Sequence, residues 1–414
     1  MVNQIKKYFP SFFLDGYHFF LALFGAVVYF FPSRQLKVIG VTGTNGKSTV
    51  VKMLAAIFEE AGCRVAYSSS INFKIAEKET PNTLRMTMPG RLKIQKFLRE
   101  AVKQRCQYAI LEVTSEGIKQ FRQRFISFKT AVLTNLSAEH IEAHGSFAKY
   151  RQAKLKLFKA ARETHIINLD DENSKYFLEL PAKKKIGYTL EGRGGTETII
   201  SGKIADVFGP GLIFLVNGKI FKLNLKGSFN IYNALAAISA ALSEGISLEI
   251  CRTALEKING LPGRLEEVIS RPFKVIVDYA FTPNALEKVY QAVKPKTGRL
   301  ICVLGACGGG RDKWKRPVLG SLAAKYCDKV IITNEDPYDE DPGKIIEMVA
   351  VGAGNKAEKI SDRRKAINFA LKSGQENDVV IITGKGCEPS ICLAGGKKIP
   401  WDDRQVVREE FKKL

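Results

Sequence analysis

The 414-residue sequence is 45% hydrophobic and 26% charged, a globular composition with enough apolar material for more than one core, which excludes disorder, collagen and a disulfide-stapled miniprotein. Lys and Arg number 64 against 42 Asp and Glu, a net charge of +22 that would suit nucleic acid, an anionic membrane surface or a polyanionic small substrate. The eight cysteines contain no C-x-x-C pair, which predicts free thiols in a reducing, cytoplasmic compartment.

The first element is apolar. Gly16–Ser33, GYHFFLALFGAVVYFFPS, runs 18 residues without Asp, Glu, Lys or Arg. A spanning helix needs about 20 such residues, and no small-residue cleavage site follows that would mark a signal peptide. With Lys6 and Lys7 on one flank and Arg34 and Lys37 on the other, residues 1–37 read as a helix that is buried, laid on a membrane surface, or spanning.

Leu36–Val41 reads as a buried strand, TGTNGKST (Thr42–Thr49) as a glycine-rich turn, and the next segment as a helix ending at Gly62. In that context Gly43, Thr44, Asn45, Gly46, Lys47, Ser48 and Thr49 form a phosphate cradle. The glycines let the backbone approach, the helix N-terminus donates N–H groups, Lys47 supplies a point charge, and Ser48 places a hydroxyl on Mg²⁺. The strict pattern would put glycine at Val41; here the glycines are Gly40, Gly43 and Gly46. The expectation is an ATP site.

Tyr108–Gly117 is a strand ending in Glu112, a carboxylate where α/β folds place ligands. Ala131–Phe158 carries His140 and His144 flanked by Glu139 and Glu142, either a metal-ligating cluster or a solvated helix start. A strand-rich insert is expected near Thr196–Lys226. The Gly-rich turn Val303–Gly320, with Arg311, Lys313, Lys315 and Arg316, is either an anion-binding loop or a solvated basic face. Short apolar strands at VIVDYA, LICVLGA, KVIITN and VVIITGKG, separated by helical stretches, predict a second parallel sheet. The fold expected is α/β: an apolar N-terminal helical segment (1–37), a central P-loop ATPase domain with a parallel sheet (38–261) and a C-terminal Rossmann-like domain (262–414).

The order GTNGKS, LEVTSEG and TNLSAEHIEAHG-x₄-Y-x₃-K resembles the Mur ligase family of ATP-dependent amide-forming synthetases. So do GSFNIYNALAA, LPGRLEEV, VDYAFTPNALE, GACGGGRDKWKRP, TNEDPYDEDP, GKGCE and WDDRQVV further along. The likeness is to the branch that adds the third peptide residue of the cell-wall precursor. It covers residues 38–414 but not 1–37, where that branch carries a uridine-nucleotide-binding domain.

The resemblance implies transfer of the ATP γ-phosphate to a carboxylate and attack of an amine on the acyl phosphate. It implies catalytic roles for Lys47, His140 and Lys154, with Lys154 carbamylated. Ser48 and Glu112 would hold one Mg²⁺, and His140 would join Glu112 on a second. Asn230, Asn233, Arg264 and Asp278 would hold the ATP base and ribose. Thr87 and Ser115 would meet the muramoyl peptide, and Glu335, Asp336, Tyr338 and Glu388 the incoming amino acid. The implied partners are a UDP- or lipid-linked muramoyl precursor and an amino acid, with no nucleic acid; a membrane-surface contact through residues 1–33 is one reading of the apolar N-terminal run, where the resemblance stops.

Three departures stand out. Phe281 replaces the histidine of DYAHTP, Cys387 that of GKGHE, and Glu335-Asp336-Pro337-Tyr338 stands where relatives that add diaminopimelate read DNPR. Losing that Arg and gaining Asp336 favours a lysine-like substrate over a diacid. The rival readings are a folylpolyglutamate- or cyanophycin-synthetase-like ligase, a P-loop ATPase switch, and a nucleic-acid-binding ATPase. The GTPase N-K-x-D motif and an interleaved aromatic–basic platform are both missing from the sequence.

Overall fold

The computed structural model describes residues 11–84, 86–208 and 211–414. It divides into two units: Met1–Leu136, Ala148–Leu223 and Asn230–Ile258 form the first, and Ser137–Phe147, Asn224–Phe229 and Asn259–Leu414 the second. The second unit thus takes two short segments from ahead of residue 262, where the sequence reading cuts the chain once.

The first unit carries β1 (Lys37–Thr42), β2 (Val65–Ser68), β3 (Asn72–Ile75), β4 (Lys78–Pro81), β5 (Tyr108–Glu112), β6 (Phe128–Leu133), β7 (Thr164–Asn168), β8 (Lys184–Thr189), β9 (Thr198–Phe208), β10 (Gly211–Val216) and β11 (Lys219–Leu223). They form one sheet in the order β11-β10-β9-β8-β7-β6-β1-β5-β2-β3-β4. The strands from β9 to β2 in that order pair in parallel, and antiparallel hairpins finish both ends. A parallel sheet is covered on both faces, so its strands read as unbroken apolar runs. Val38, Ile39, Val41, Ile110, Leu111, Val132 and Leu133 accordingly have no exposed surface. The insert expected near Thr196–Lys226 forms β9–β11.

The longer helices here are α1 (Ser11–Val28), α2 (Lys47–Glu60), α3 (Arg91–Lys103), α4 (Phe147–Ala160), α5 (Phe229–Ser243) and α6 (Leu248–Glu256). α2 buries Val50, Val51, Met53, Leu54, Ile57 and Phe58. It stops at Gly62, whose φ of 78° lets Cys63 N–H reach back to the Phe58 carbonyl at 2.9 Å. α1 packs His18, Ala22 and Ala26 inward. Its approach to α3 is close, since a methyl on Gly25 would lie 3.3 Å from Leu92 Cα.

The helix ends at Val28 rather than Ser33. Phe30 and Phe31 adopt left-handed backbone angles, and a 3₁₀ turn follows at Pro32–Gln35. Ser33 Oγ anchors that turn by accepting the Ser127 N–H at 3.0 Å. Among the described residues no helix is long and apolar enough to cross a membrane; residues 1–10, with Lys6 and Lys7, lie outside the described residues.

The second unit contains β12 (Glu266–Ile269), β13 (Lys274–Val277), β14 (Leu300–Leu304), β15 (Lys329–Ile332), β16 (Ala357–Lys359) and β17 (Val379–Ile382), in the order β12-β13-β17-β14-β15-β16. All neighbours pair in parallel except β12 with β13. A small hairpin, β18 (Ser390–Cys392) with β19 (Lys398–Pro400), lies outside that sheet. The helices are α7 (Pro283–Val293), α8 (Lys315–Tyr326), α9 (Pro342–Ala353), α10 (Arg363–Ser373) and α11 (Asp403–Phe411). The period of two along each strand splits the core. Ile276, Cys302, Val330 and Ile381 pack with α7, α8 and α9, while Val275, Ile301, Ile331 and Val380 pack with α10 and α11. This is the doubly covered, Rossmann-like sheet that the sequence predicts.

Candidate active site

β1 delivers the chain into the loop Thr42–Thr49 and α2 carries it away. Two glycines make the turn geometrically possible. Gly43 has φ 148° and a Cβ there would lie 1.9 Å from Thr134 Oγ1; Gly46 has φ 82° and a Cβ there would lie 2.3 Å from Asn233 Oδ1. The end of β6 braces the loop from the side. The Asn135 carbonyl accepts Thr44 N–H at 2.8 Å, Asn135 Oδ1 accepts Asn45 N–H at 3.0 Å, and Thr134 Oγ1 donates to the Asn45 carbonyl at 2.6 Å. From α5, the buried Asn233 donates to Asn230 at 2.9 Å, so this pair packs directly against Gly46.

Around this loop the charged groups converge. Ser48 Oγ donates to Glu112 Oε2 at 2.8 Å, and Lys47 Nζ stands 4.0 Å from Glu112 Oε1. Ser70, after β2, donates its backbone N–H to the same carboxylate at 2.8 Å, with its hydroxyl at 3.3 Å. Lys154 of α4 is 1% exposed and donates to the Gly43 carbonyl at 2.7 Å. Burial holds its amine well below the usual lysine value; the nearby Lys47 charge pushes the same way and Glu112 opposes. Neutral amine is the form that adds CO₂, so this environment suits carbamate formation. Thr49 is buried in the first turn of α2, and Thr44 Oγ1 sits 3.1 Å from the Tyr150 hydroxyl.

Thr87 is half-buried in the loop ahead of α3, and Ser115 is buried at the start of the short helix Ser115–Lys119. The two loops meet where Met88 packs on Gly117, whose Cβ would lie 2.6 Å from the sulfur.

His140 belongs to the second unit, where its backbone is left-handed and its Nδ1 lies 3.4 Å from Arg311 Nη1. Asp312 caps the short helix Ile141–His144, accepting Ile141 N–H at 3.1 Å and Glu142 N–H at 2.8 Å. Glu139 pairs with Lys315 at 2.7 Å, both side chains 3% exposed, and burial raises its carboxyl pKa against the pull of Lys315. Glu142 accepts the Lys313 N–H at 2.6 Å. Both carboxylates of the His140, His144, Glu139 and Glu142 segment are thus engaged by protein partners. Among the described residues no three His, Cys, Asp or Glu side chains are grouped to hold a metal. The solvated-face reading of the Arg311–Arg316 stretch is corrected too, because Lys315 and Arg316 are buried, the latter 2.9 Å from Glu340.

In the same unit Arg264 stacks 4.3 Å over the Tyr279 ring. Asp278 accepts Leu265 N–H at 2.7 Å and Ala280 N–H at 2.6 Å; burial raises its pKa while Arg264 opposes. Phe281, at the position of the DYAHTP histidine, is held by packing. Its ring lies 5.1 Å from that of Tyr279 in a T-shaped pair, with Lys315 Nζ 4.9 Å from its centre.

Glu335 is buried and accepts the Cys307 thiol proton at 2.8 Å, while its Oε2 has no hydrogen-bond partner. Burial raises its pKa, against the nearby Arg363 charge. Asp336 is held on both oxygens, by Lys385 Nζ at 2.8 Å and Cys392 N–H at 2.7 Å. Lys385 also pairs with Glu388, which accepts the Tyr279 hydroxyl at 3.0 Å. The expectation that Asp336 adds a free negative charge for a substrate ammonium is thus revised, because Lys385 neutralises it inside the fold. Tyr338 has a left-handed φ of 52° and packs on Gly309, whose Cβ would meet its ring at 2.6 Å. Ser70, Asn135 and Lys385 hydrogen-bond candidate site residues and were not singled out by the sequence reading. Only the TN after β6 and the lysine of GKGCE gave a signal.

A phosphate loop on a parallel sheet, backed by a buried lysine and a carboxylate, together with a second Rossmann-like unit, defines a P-loop nucleotide-utilising α/β protein. Comparison with known sequences places it further: the Mur ligase middle domain matches residues 41–241, and the Mur ligase, glutamate ligase domain matches residues 263–386. The UDP-N-acetylmuramyl-tripeptide synthetase of Roseiflexus sp. (strain RS-1) is 34% identical, over 95% of this chain and 82% of that protein. The UDP-N-acetylmuramoyl-L-alanyl-D-glutamate–2,6-diaminopimelate ligase of Syntrophomonas wolfei is 38% identical, over 94% and 81%. A solved ligase of the latter kind superposes with a TM-score of 0.60 at 30% identity, over 91% of this chain and 78% of its own. The chain belongs to the Mur ligase family of ATP-dependent, ADP-forming amide ligases. Those matches run through the C-terminal motifs that a bare ATPase switch or a nucleic-acid-binding ATPase would leave without a role.

Proposed function

We propose that this enzyme adds an amino acid to the peptide of a muramoyl cell-wall precursor, in the cytoplasm at the inner membrane face. The observation that carries the reading is the convergence of Lys47, Ser48, Glu112 and the desolvated Lys154 on one glycine-turned loop. Lys47 and the N-terminus of α2 neutralise the ATP phosphates while the γ-phosphoryl group passes to the acceptor carboxylate, giving an acyl phosphate and ADP. The amine of the amino acid attacks the acyl carbon, and the tetrahedral intermediate expels phosphate to leave the amide.

The hydroxyls of Ser48 and Ser70 and the carboxylate of Glu112 are hard oxygen donors, a set that fits Mg²⁺, with His140 proposed to join a second ion. Bound there, Mg²⁺ would offset the charge between triphosphate and carboxylate. Asn230, Asn233, Arg264 and Asp278 are assigned to the nucleotide base and ribose, and Thr87 and Ser115 to the muramoyl peptide. Glu335, Tyr338 and Glu388 are assigned to the amino acid. With Tyr338 in place of an arginine, a lysine-like side chain is favoured over a distal carboxylate.

The test is a phosphate-release screen of amino acids and diamino acids against UDP- and lipid-linked muramoyl dipeptides. Release that depends on both an amino acid and a muramoyl acceptor is expected. Release with neither dependence would overturn the reading.

A further inference from the structure

α1 is packed along one side only. Advancing by about 100° per residue, Phe13, Tyr17, Phe20, Phe24, Val27 and Val28 fall within an arc of about 100°, opposite His18, Ala22 and Ala26. Those six side chains are 64, 55, 68, 57, 52 and 44% exposed. Asp15, the one charged residue between Ser11 and Val28, falls on the opposite side of the wheel from these rings and is itself exposed. Four aromatic rings in a row, with Phe30 past the helix end at 74% exposure, leave an apolar face exposed, the kind of feature that marks an interaction surface.

What covers this face is indicated by charge. Arg34 in the turn after α1, and Lys93 and Lys96 on the neighbouring α3, are exposed cations, and Lys6 and Lys7 precede the helix in sequence. A second copy would bring +22 against +22, whereas an anionic surface is attracted by the same field. Among the described residues no helix is long and apolar enough to cross a membrane. Aromatic rings flanked by cations are the chemistry of a helix lying in the headgroup–acyl boundary.

We infer that the Phe13–Val28 face of α1 docks on an anionic lipid bilayer, rings at the acyl boundary and cations on headgroup phosphates. The inference deepens the reading of a ligase at the inner membrane face and rests on it for its purpose, which is to hold the catalytic unit where lipid-linked acceptors are displayed. Docking itself needs neither nucleotide nor acceptor.

The test is co-flotation of the full-length protein, without substrates, on vesicles of phosphatidylglycerol mixed with phosphatidylcholine and on phosphatidylcholine alone. Binding to the mixed vesicles is expected to weaken about tenfold or more in Phe20→Asp/Phe24→Asp, and about fivefold per cation in Lys93→Ala/Lys96→Ala. Both variants change exposed side chains and should match the parent in urea unfolding and in phosphate release with a soluble UDP-linked acceptor. A parent that ignores anionic vesicles, binds both compositions equally, or loses a concentration-dependent dimer in the Phe variant would overturn the proposal. So would Phe20→Asp/Phe24→Asp remaining bound. Failure of the parent to release phosphate would strike the ligase reading alone and leave the flotation result standing.

Discussion

Gly46→Ala tests the loop by the smallest change available. Gly46 has φ 82°, where an L-residue pays roughly 1–2 kcal/mol because its Cβ crowds the following carbonyl. The added methyl would also lie 2.3 Å from Asn233 Oδ1, and Asn233 is buried and tied to Asn230. Moving that amide is an overpacking cost of about 1–3 kcal/mol. The first unit should therefore lose about 2–5 kcal/mol in urea unfolding, and ADP should bind at least about tenfold more weakly by calorimetry as the N–H groups turn away from the phosphates. Gly62→Ala is the control. Its φ is 78°, nearly the same, but nothing lies within 4 Å of the new Cβ, so only the conformational part of about 1–2 kcal/mol is expected, with ADP affinity unchanged. If Gly46→Ala and Gly62→Ala cost the same and bind ADP alike, the bracing of the loop by Asn233 is refuted.

Four further outcomes are expected. Lys154→Ala should abolish amide synthesis and be partly rescued by short carboxylates, and undiminished turnover would remove its role. Because burial lowers the Lys154 pKa, the unfolded chain binds more protons between the folded value and the ordinary lysine value. Stability relative to Lys154→Met should therefore rise with pH across that window, and a flat difference in urea unfolding would contradict the assignment. Tyr338→Arg should shift relative turnover from lysine toward meso-diaminopimelate by roughly 2–5 kcal/mol, read as the ratio of kcat/KM values; a parent already better with the diacid would sink the loop argument. Asp403 pairs through both oxygens with the buried Arg363, at 2.9 and 2.7 Å, so Asp403→Asn should cost the second unit about 3–5 kcal/mol in denaturant unfolding, against no loss if the pair is solvated.

The phosphate loop was legible because its parts are consecutive: strand, glycines, lysine and hydroxyl follow one another in eight residues, Thr42–Thr49. The strands were legible because a sheet covered on both faces writes itself as unbroken apolar runs such as LICVL and VVII. Ser70, Asn135 and Lys385 were not, because each reaches its partner from the end of a strand distant in sequence, and a lone Ser or Asn after a strand carries no periodic signal. The segment Ser137–Phe147 was read with the central domain by sequence proximity. It lies with the second unit because a buried ion pair, Glu139–Lys315, and the Asp312 cap bridge some 170 residues. Asp336 was read as a free charge because nothing in the sequence announces that Lys385 lies beside it.

Both sheets end in strands that discourage further pairing. β4 is KETP, exposed at every position and closed by Pro81, which has no N–H to offer. β11 turns Lys219 and Lys222 outward beside Ile220, and in the second unit β16 is only the three residues Ala-Glu-Lys. A flat apolar edge would recruit the same edge of another molecule and grow a fibre; a proline, a short strand and lysine side chains make that addition unfavourable. The positions that resist edge-to-edge association of these two sheets are thus Pro81, Lys219 and Lys222.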